Sequence, residues 1–173
     1  MIEVQITNSM RETAHDMSSE MGILSRSITR GQGNVYGFLG ELVALDVLDG
    51  VHQNTMDYDI IVDGYRIDVK TKKTTVKPKP DYDCSVADLT RKQNCDYYAF
   101  VRVLSDQSVG WFLGVKKAEQ YFTDARYIKK GDYDNSNGFT ARANCYNMPI
   151  SALDVDLPTS FRHKTVKSAL SAG

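Results

Sequence analysis

Two aspartates and a lysine that lie close together in the sequence are its best candidates for chemistry. Asp59 precedes a short apolar run, and Asp68 and Lys70 form an Asp-Val-Lys triplet after it. Between them stands Asp63-Gly64, a dipeptide that readily forms the two-residue type I′ turn of a β-hairpin. The spacing therefore predicts a hairpin in which Asp59 lies directly opposite Asp68 and Lys70 shares their face of the sheet.

Two carboxylates that face each other across a hairpin require a positive charge nearby. Their Cβ atoms are expected roughly 4.5–5.5 Å apart, where like charges are destabilising. Lys70 supplies one positive charge, and a divalent cation, which proteins hold through one or two carboxylates, supplies more. The alternative is a solvated hairpin face with a loose ion pair. Asp57 shares the predicted face, but we prefer Asp59 because it lies opposite Asp68.

A third carboxylate precedes the hairpin in the sequence. Glu41 falls in a predicted helix from 35 to about 48, in the middle of an otherwise apolar stripe. A lone carboxylate directed into a core is costly unless it meets a cation or hydrogen-bond donors. One alternative is a glutamate at the edge of the stripe that reaches water. The other, which its place before the hairpin favours, is that Glu41 is a third ligand of the same cation.

A run of lysines follows the acidic pair along the chain. Its members are Lys70, Lys72, Lys73, Lys77 and Lys79. Such a run can be the solvated, charged edge strand that protects a sheet from aggregation. Its position beside two carboxylates favours instead a track for the phosphates of a nucleic acid.

The remaining pattern predicts an α/β protein. Helices are predicted at 9–28, 35–48 and 116–126, and strands at 1–6, 57–62, 65–72, 81–87, 96–103 and 109–115. Short helical turns are predicted at 87–93 and 149–153, loops at 28–34 and 127–147, and a frayed or flexible tail from about residue 160. Gly31 and Gly33 lack the rest of a phosphate-binding pattern, so we predict a tight turn there.

Composition limits the class of protein. The chain has 173 residues and a net charge of -1, which suits a single soluble domain and argues against nonspecific coating of nucleic acid. Its three cysteines are widely spaced, so neither a disulfide framework nor a zinc site is indicated. The three histidines are scattered, and we expect surface or core roles for them. No signal peptide or membrane span is apparent, so we expect a cytoplasmic protein without a membrane partner.

The order of these residues resembles the PD-(D/E)XK nuclease superfamily. Its signature is an aspartate that begins one strand and an acid-x-Lys triplet on the next, often with a glutamate on the preceding helix. Here those positions are Glu41, Asp59, Asp68 and Lys70, and Tyr58 stands where the signature has proline. Small phage-encoded nucleases of the superfamily have stretches similar to Ser27-Ile-Thr-Arg-Gly-Gln-Gly-Asn34, Gly37-Phe-Leu-Gly-Glu41, Tyr58-Asp-Ile60, Asp68-Val-Lys-Thr-Lys72, Cys95-Asp-Tyr-Tyr98 and Pro149-Ile-Ser151.

The resemblance implies a fold, a cofactor and a substrate. The fold would be a restriction-endonuclease-like core, with a central mixed β-sheet flanked by helices. The activity would be Mg²⁺-dependent hydrolysis of DNA, with Mn²⁺ able to substitute, in a bacterial or phage-infected cell. Glu41, Asp59, Asp68 and the backbone carbonyl of Val69 would hold the metal, and Lys70 would act on the attacking water or the phosphate. The lysines that would contact DNA are Lys72, Lys73, Lys77 and Lys79.

Two other functions stay open at this point. One is a Holliday-junction resolvase or restriction-like endonuclease that works as a homodimer. The other is a non-catalytic DNA-binding protein on a nuclease fold, although the presence of all four chemistry-bearing residues disfavours it.

Overall fold

The computed structural model describes residues 1–21, 32–53 and 55–158. The helices of this part are α1 (Asn8–Met21), α2 (Gln32–Leu48) and α3 (Ala118–Asp124). Its strands are β1 (Ile2–Gln5), β2 (Val51–His52), β3 (Ile60–Val62), β4 (Tyr65–Thr74), β5 (Asp83–Ala87), β6 (Tyr97–Leu104), β7 (Val109–Lys117), β8 (Arg126–Ile128), β9 (Tyr133–Asp134), β10 (Phe139–Thr140) and β11 (Cys145–Pro149). Single 3₁₀ turns span Asp88–Thr90 and Ile150–Ala152.

The strands form one large and two small sheets. The six-stranded sheet has the order β1-β7-β6-β4-β3-β2, and it is mixed because β4 and β6 run parallel while the other neighbours are antiparallel. A three-stranded antiparallel sheet has the order β5-β11-β8, and β9 pairs with β10. The predicted α/β class with a mixed sheet is therefore confirmed. No helix within the described ranges has the length and apolar character needed to cross a membrane.

The predicted hairpin is present in the predicted register. β3 and β4 pair so that Ile60 lies opposite Ile67, and the turn consists of Asp63 and Gly64. The φ angles of these two residues are 50° and 83°, so both have the left-handed conformation that a type I′ turn needs. Glycine adopts this conformation without strain, and aspartate tolerates it better than most residues.

The two faces of the large sheet have different coverings. α1 and α2 pack on one face, against a buried core that includes Ile60 and Ile67. The three-stranded sheet and α3 pack on the other face, in a second core around Tyr98. Because side chains alternate along β4, Asp68 and Lys70 point away from the helices and towards this second face.

Several predicted boundaries were wrong. α2 begins at Gln32, so the predicted loop at 28–34 is helical at its end, and Gly33 lies in the helix rather than in a tight turn. The helix predicted at 116–126 is shorter, because β7 continues to Lys117 and β8 begins at Arg126. The segment predicted as loop at 127–147 also contains short strands, namely the end of β8, all of β9 and β10, and the start of β11. β11 pairs with both β8 and β5 across long stretches of chain, which local propensity does not reveal.

Some predictions fall outside the described residues. They are the end of the first predicted helix, at 22–28, Gly31, and the tail beyond residue 158.

Candidate active site

Asp59 lies immediately before β3 and is held against β4. Its backbone N–H donates to the carbonyl of Ile67 at 2.9 Å, and its Oδ2 accepts a hydrogen bond from the N–H of Val69 at 2.7 Å. Burial, and then the negative charges of Asp68 and Glu41, raise the pKa of Asp59 to about 8, against the opposing effects of the Val69 N–H and the Lys70 ammonium. The Asp59 carboxyl is therefore held in place by the same strand that carries Asp68.

Asp68 is a buried carboxylate with incomplete hydrogen bonding. The residue is only 5% exposed. The ammonium Nζ of Lys70 lies 2.6 Å from its Oδ2 as an ion pair, yet that buried oxygen has no hydrogen bond of acceptable geometry within the described part of the chain. The charge of this oxygen is therefore balanced by one ammonium, and a carboxylate oxygen has lone pairs enough for a second partner.

Glu41 comes from α2 and pairs with His52 of β2. Its side chain is 12% exposed, and its Oε2 lies 2.7 Å from Nε2 of the imidazole. Burial, and then the negative charge of Asp68, raise the pKa of Glu41 to about 8, so the carboxyl is largely protonated at neutral pH. Glu41 is therefore buried rather than at a water-facing edge of the apolar stripe, and its partner is a histidine that the sequence did not suggest.

At Gly40, the residue before Glu41, α2 packs very close to β4. A Cβ added at Gly40 would overlap the hydroxyl of Thr71, so only glycine lets α2 come this near to β4. This packing sets the depth at which Glu41 lies.

The three carboxylates influence one another without forming a ready-made metal cluster. The charge of Asp68 contributes to the raised pKa of both Glu41 and Asp59. Among residues 1–21, 32–53 and 55–158, however, no three histidine, cysteine, aspartate or glutamate side chains are arranged to hold a metal ion. Each carboxylate is instead engaged by a neighbour, namely the Val69 N–H, Lys70 or His52.

The donor set nevertheless suits a hard divalent cation. Mg²⁺ takes oxygen ligands and is commonly held by one or two carboxylates plus waters and substrate phosphates. Asp59 and Asp68 provide two carboxylates from adjacent strands, and the buried Oδ2 of Asp68 still has capacity to accept. Glu41 could contribute a third carboxylate oxygen if its contact with His52 opened.

Gln93 is a site residue that the sequence reasoning missed. Its Oε1 accepts a hydrogen bond from Lys70 Nζ at 3.1 Å, and its Nε2 lies 3.4 Å from Asp68 Oδ1 and 3.2 Å from the carbonyl of Met56. The amide therefore spans the acid and the base of the Asp-Val-Lys triplet. No periodicity or motif singled it out, because it lies in a connection between strands.

An ion pair anchors that connection. The guanidinium of Arg66 donates to both oxygens of Asp96, at 3.1 and 2.9 Å, and the backbone N–H of Arg66 donates to the same carboxylate. Because Arg66 is on β4 and Asp96 directly precedes β6, the pair ties the segment that carries Gln93 to the strand that carries Asp68 and Lys70.

The structure separates the lysines of the predicted phosphate track. Lys72 lies on the same side of β4 as Lys70, and both line a cavity of about 230 Å³. Lys73 is on the opposite face, with its ammonium 5.0 Å from the ring centre of Tyr36. Lys77 lies 3.8 Å from a carboxylate oxygen of Glu3, and Lys79 is exposed on the loop that follows β4.

The structure also distinguishes Asp57 from Asp59. Asp57 is exposed, and its backbone N–H donates to the hydroxyl of Thr55. Asp59 is the one of the two whose carboxyl is held beside Asp68.

The fold and the site thus define an α/β protein in which three largely buried carboxylates and one lysine lie together. Comparison with models of protein families found no match, and comparison with curated proteins found none either.

Proposed function

We propose that the protein is a metal-dependent nuclease that hydrolyses DNA phosphodiester bonds, with a restriction-endonuclease-like core of the PD-(D/E)XK type. The observation that carries the proposal is the arrangement around β4. Asp59 and Asp68 lie beside each other, Lys70 shares the face of Asp68, and the buried Oδ2 of Asp68 has only the Lys70 ammonium as a partner among the described residues. This is the acid, acid and lysine set that the sequence motif predicts.

Asp59, Asp68 and the carbonyl of Val69 would hold Mg²⁺ or Mn²⁺, with Glu41 as a further donor. When bound, such an ion polarises a phosphoryl oxygen and makes a coordinated water more acidic. Because the pKa values of Glu41 and Asp59 are raised, protons compete with a cation for both carboxyls, and metal binding should strengthen as the pH rises.

Lys70 supplies positive charge next to the reacting phosphate. Its side chain is 21% exposed, with the ammonium positioned between Asp68 Oδ2, at 2.6 Å, and Gln93 Oε1, at 3.1 Å. The ammonium also lies 5.5 Å from the ring centre of Tyr98, which restricts its position further. A fixed ammonium in a partly desolvated cleft stabilises the negative charge that develops on a phosphate during attack by water.

Glu41 and His52 hold a proton beside the cleft. With its pKa near 8, the Glu41 carboxyl is mostly neutral at neutral pH and hydrogen-bonds the imidazole. The pair keeps Glu41 close to Asp68 without adding a full negative charge, so the cleft does not repel a phosphate as strongly as three ionised carboxylates would.

The proposal is tested by cleavage of supercoiled plasmid, linear duplex and four-way junction DNA with Mg²⁺ or Mn²⁺. We expect cleavage by the wild-type protein and a loss of at least about 100-fold in Asp68→Asn and Lys70→Ala, since each removes a group that acts on the transition state. Preference among the three substrates separates a general nuclease from a junction-resolving enzyme.

Asp57→Asn is the matched control, because it removes the same charge close by in sequence but outside the cleft. It should cleave as the wild type does. Full activity of Asp68→Asn, or no cleavage by the wild type with either metal, would contradict the nuclease proposal.

A further inference from the structure

We propose that the cavity beside β4 binds one phosphate group of the nucleic-acid chain, adjacent to the phosphate that is cleaved, through Lys72 and Arg102. This inference rests on the proposed function and deepens it by naming a second contact point for the substrate.

The cavity shares Lys70 with the candidate active site. It has a volume of about 230 Å³, and its lining includes Lys70, Lys72 and Arg102. Lys70 is also the residue that pairs with Asp68, so the cavity lies next to the group of carboxylates. Two residues of strand advance the chain by roughly 7 Å, so a polynucleotide that runs along β4 meets Lys70 and Lys72 in turn.

The strand register brings two cations together in this cavity. β4 and β6 run parallel, with Lys72 directly opposite Arg102. Burial, and then the positive charge of Arg102, lower the pKa of Lys72. Two like charges at facing positions destabilise a sheet, and an anion between them would remove that repulsion.

Lys72 is free to take such an anion. Within residues 1–21, 32–53 and 55–158 its ammonium makes no hydrogen bond or ion pair, whereas Lys70 has Asp68, and Lys77 has Glu3. Part of Lys72 is exposed to solvent, so a ligand can reach it.

Arg102 is a rigid partner for the same anion. The residue is 7% exposed, its Nη2 donates to the backbone carbonyl of Asp83 at 2.9 Å, and its guanidinium lies 5.4 Å from the ring centre of Tyr82. A guanidinium held in this way loses little entropy when it binds a phosphate.

One carboxylate also borders the cavity, Asp83, and it shares the guanidinium of Arg126 with Asp134. Asp83 Oδ2 lies 2.9 Å from Nη2 of Arg126 and 2.6 Å from Nδ2 of Asn137. Asp83 raises the pKa of Lys72, but by less than Arg102 lowers it. The cavity therefore keeps a positive balance.

The experiment measures binding without cleavage. Metal-free protein in EDTA is titrated with a 5′-phosphorylated thymidine dinucleotide, with a longer single-stranded thymidine oligonucleotide, and with inorganic phosphate. The proteins compared are the wild type, Lys72→Gln, Arg102→Lys, and Lys73→Gln. The last removes the same charge one residue along, on the opposite face of β4.

We expect Lys72→Gln to weaken binding of both thymidine ligands at least fivefold and to lower the salt dependence of oligonucleotide binding by about one unit of slope. Lys73→Gln should leave dinucleotide binding unchanged. Arg102→Lys, which keeps the charge but loses the planar fork, should weaken dinucleotide binding by a smaller factor. Equal effects of Lys72→Gln and Lys73→Gln, or no effect of Lys72→Gln, would overturn the inference.

The outcome is independent of whether the protein cleaves DNA. A Lys72-dependent loss of dinucleotide binding in a protein that cleaves nothing would support the phosphate site and refute the nuclease. If the wild type cleaves DNA and Lys72→Gln binds the dinucleotide as the wild type does, the nuclease proposal is supported and the phosphate site is refuted. Inorganic phosphate that binds as tightly as the dinucleotide would assign the cavity to a free anion and overturn its role for a polynucleotide.

Discussion

Oε2 of Glu41 and Nε2 of His52 lie 2.7 Å apart and join α2 to β2. The contact satisfies a carboxyl that is mostly buried and whose pKa is raised to about 8. It also connects the helix to the edge of the sheet next to the hairpin, because His52 pairs with Ile60 of β3. The candidate third ligand is thus positioned by a histidine rather than by the aspartates.

Loss of the imidazole should destabilise the protein. In His52→Ala the buried Glu41 carboxyl loses its hydrogen bond with the imidazole. We expect the free energy of unfolding to fall by about 1–3 kcal/mol. Urea denaturation at neutral pH measures the change. His15→Ala is the matched control, since His15 is exposed on α1, and it should change stability by less than about 0.5 kcal/mol. Equal stability of the two variants would contradict a structural role for the Glu41–His52 contact.

Stability of the metal-free protein should depend on pH through Glu41 and Asp59. Both have a pKa of about 8 in the folded protein and ordinary values near 4 when unfolded, so folding favours their protonated forms. Their contribution to stability is complete below about pH 4 and is lost as the pH rises to about 8. Thermal denaturation in EDTA at several pH values measures this loss. Glu41→Gln and Asp59→Asn should each show a smaller decrease than the wild type over this range.

Added Mg²⁺ should reverse that loss. A ligand that binds only the folded state raises its stability, and it binds better once the carboxyls are ionised. We therefore expect the increase in melting temperature on addition of Mg²⁺ to be larger near pH 8 than near pH 5.5. An increase that is the same in Asp68→Asn as in the wild type would show that the ion binds elsewhere.

Gly40 should not tolerate a side chain. In Gly40→Ala the new methyl group overlaps the hydroxyl of Thr71, and we expect a loss of about 1–3 kcal/mol in the free energy of unfolding. Gly37→Ala is a matched control on the same helix, because a Cβ there meets nothing within 4 Å. It should stabilise the helix by about 0.5–1 kcal/mol. Opposite signs of the two changes in urea denaturation would confirm the close approach of α2 to β4.

Gln93 should act as a positioning residue. Gln93→Ala removes the acceptor of Lys70 Nζ and a contact to Asp68, so we expect kcat of DNA cleavage to fall by about 10–100-fold. DNA binding in EDTA should stay the same, because a residue that only orients Lys70 does not determine affinity. The neighbouring Asn94 is exposed, and Asn94→Ala should retain wild-type kcat. A parallel loss of affinity and kcat would instead indicate that Gln93 contacts the substrate.

Local rules predicted the hairpin well. The Asp63-Gly64 turn set the register, and alternation along a strand then placed Asp59 beside Asp68 and Lys70 on the face of Asp68. Other predictions failed where strands pair over long distances. Cys145–Pro149 forms the central strand of the small sheet, although its sequence is part of a region rich in loop-forming residues.

In the site, too, local patterns predicted some features and long-range packing decided the others. The sequence by itself determined which residues form the acidic motif and that two of them face each other, because a two-residue turn and a period of two leave a single register. Only the tertiary structure decided that Glu41 meets His52, that Gln93 bridges Asp68 and Lys70, and that Lys72 joins Arg102 in a cavity. Those contacts join separate elements, and their geometry depends on how a helix and two sheets pack rather than on any local pattern.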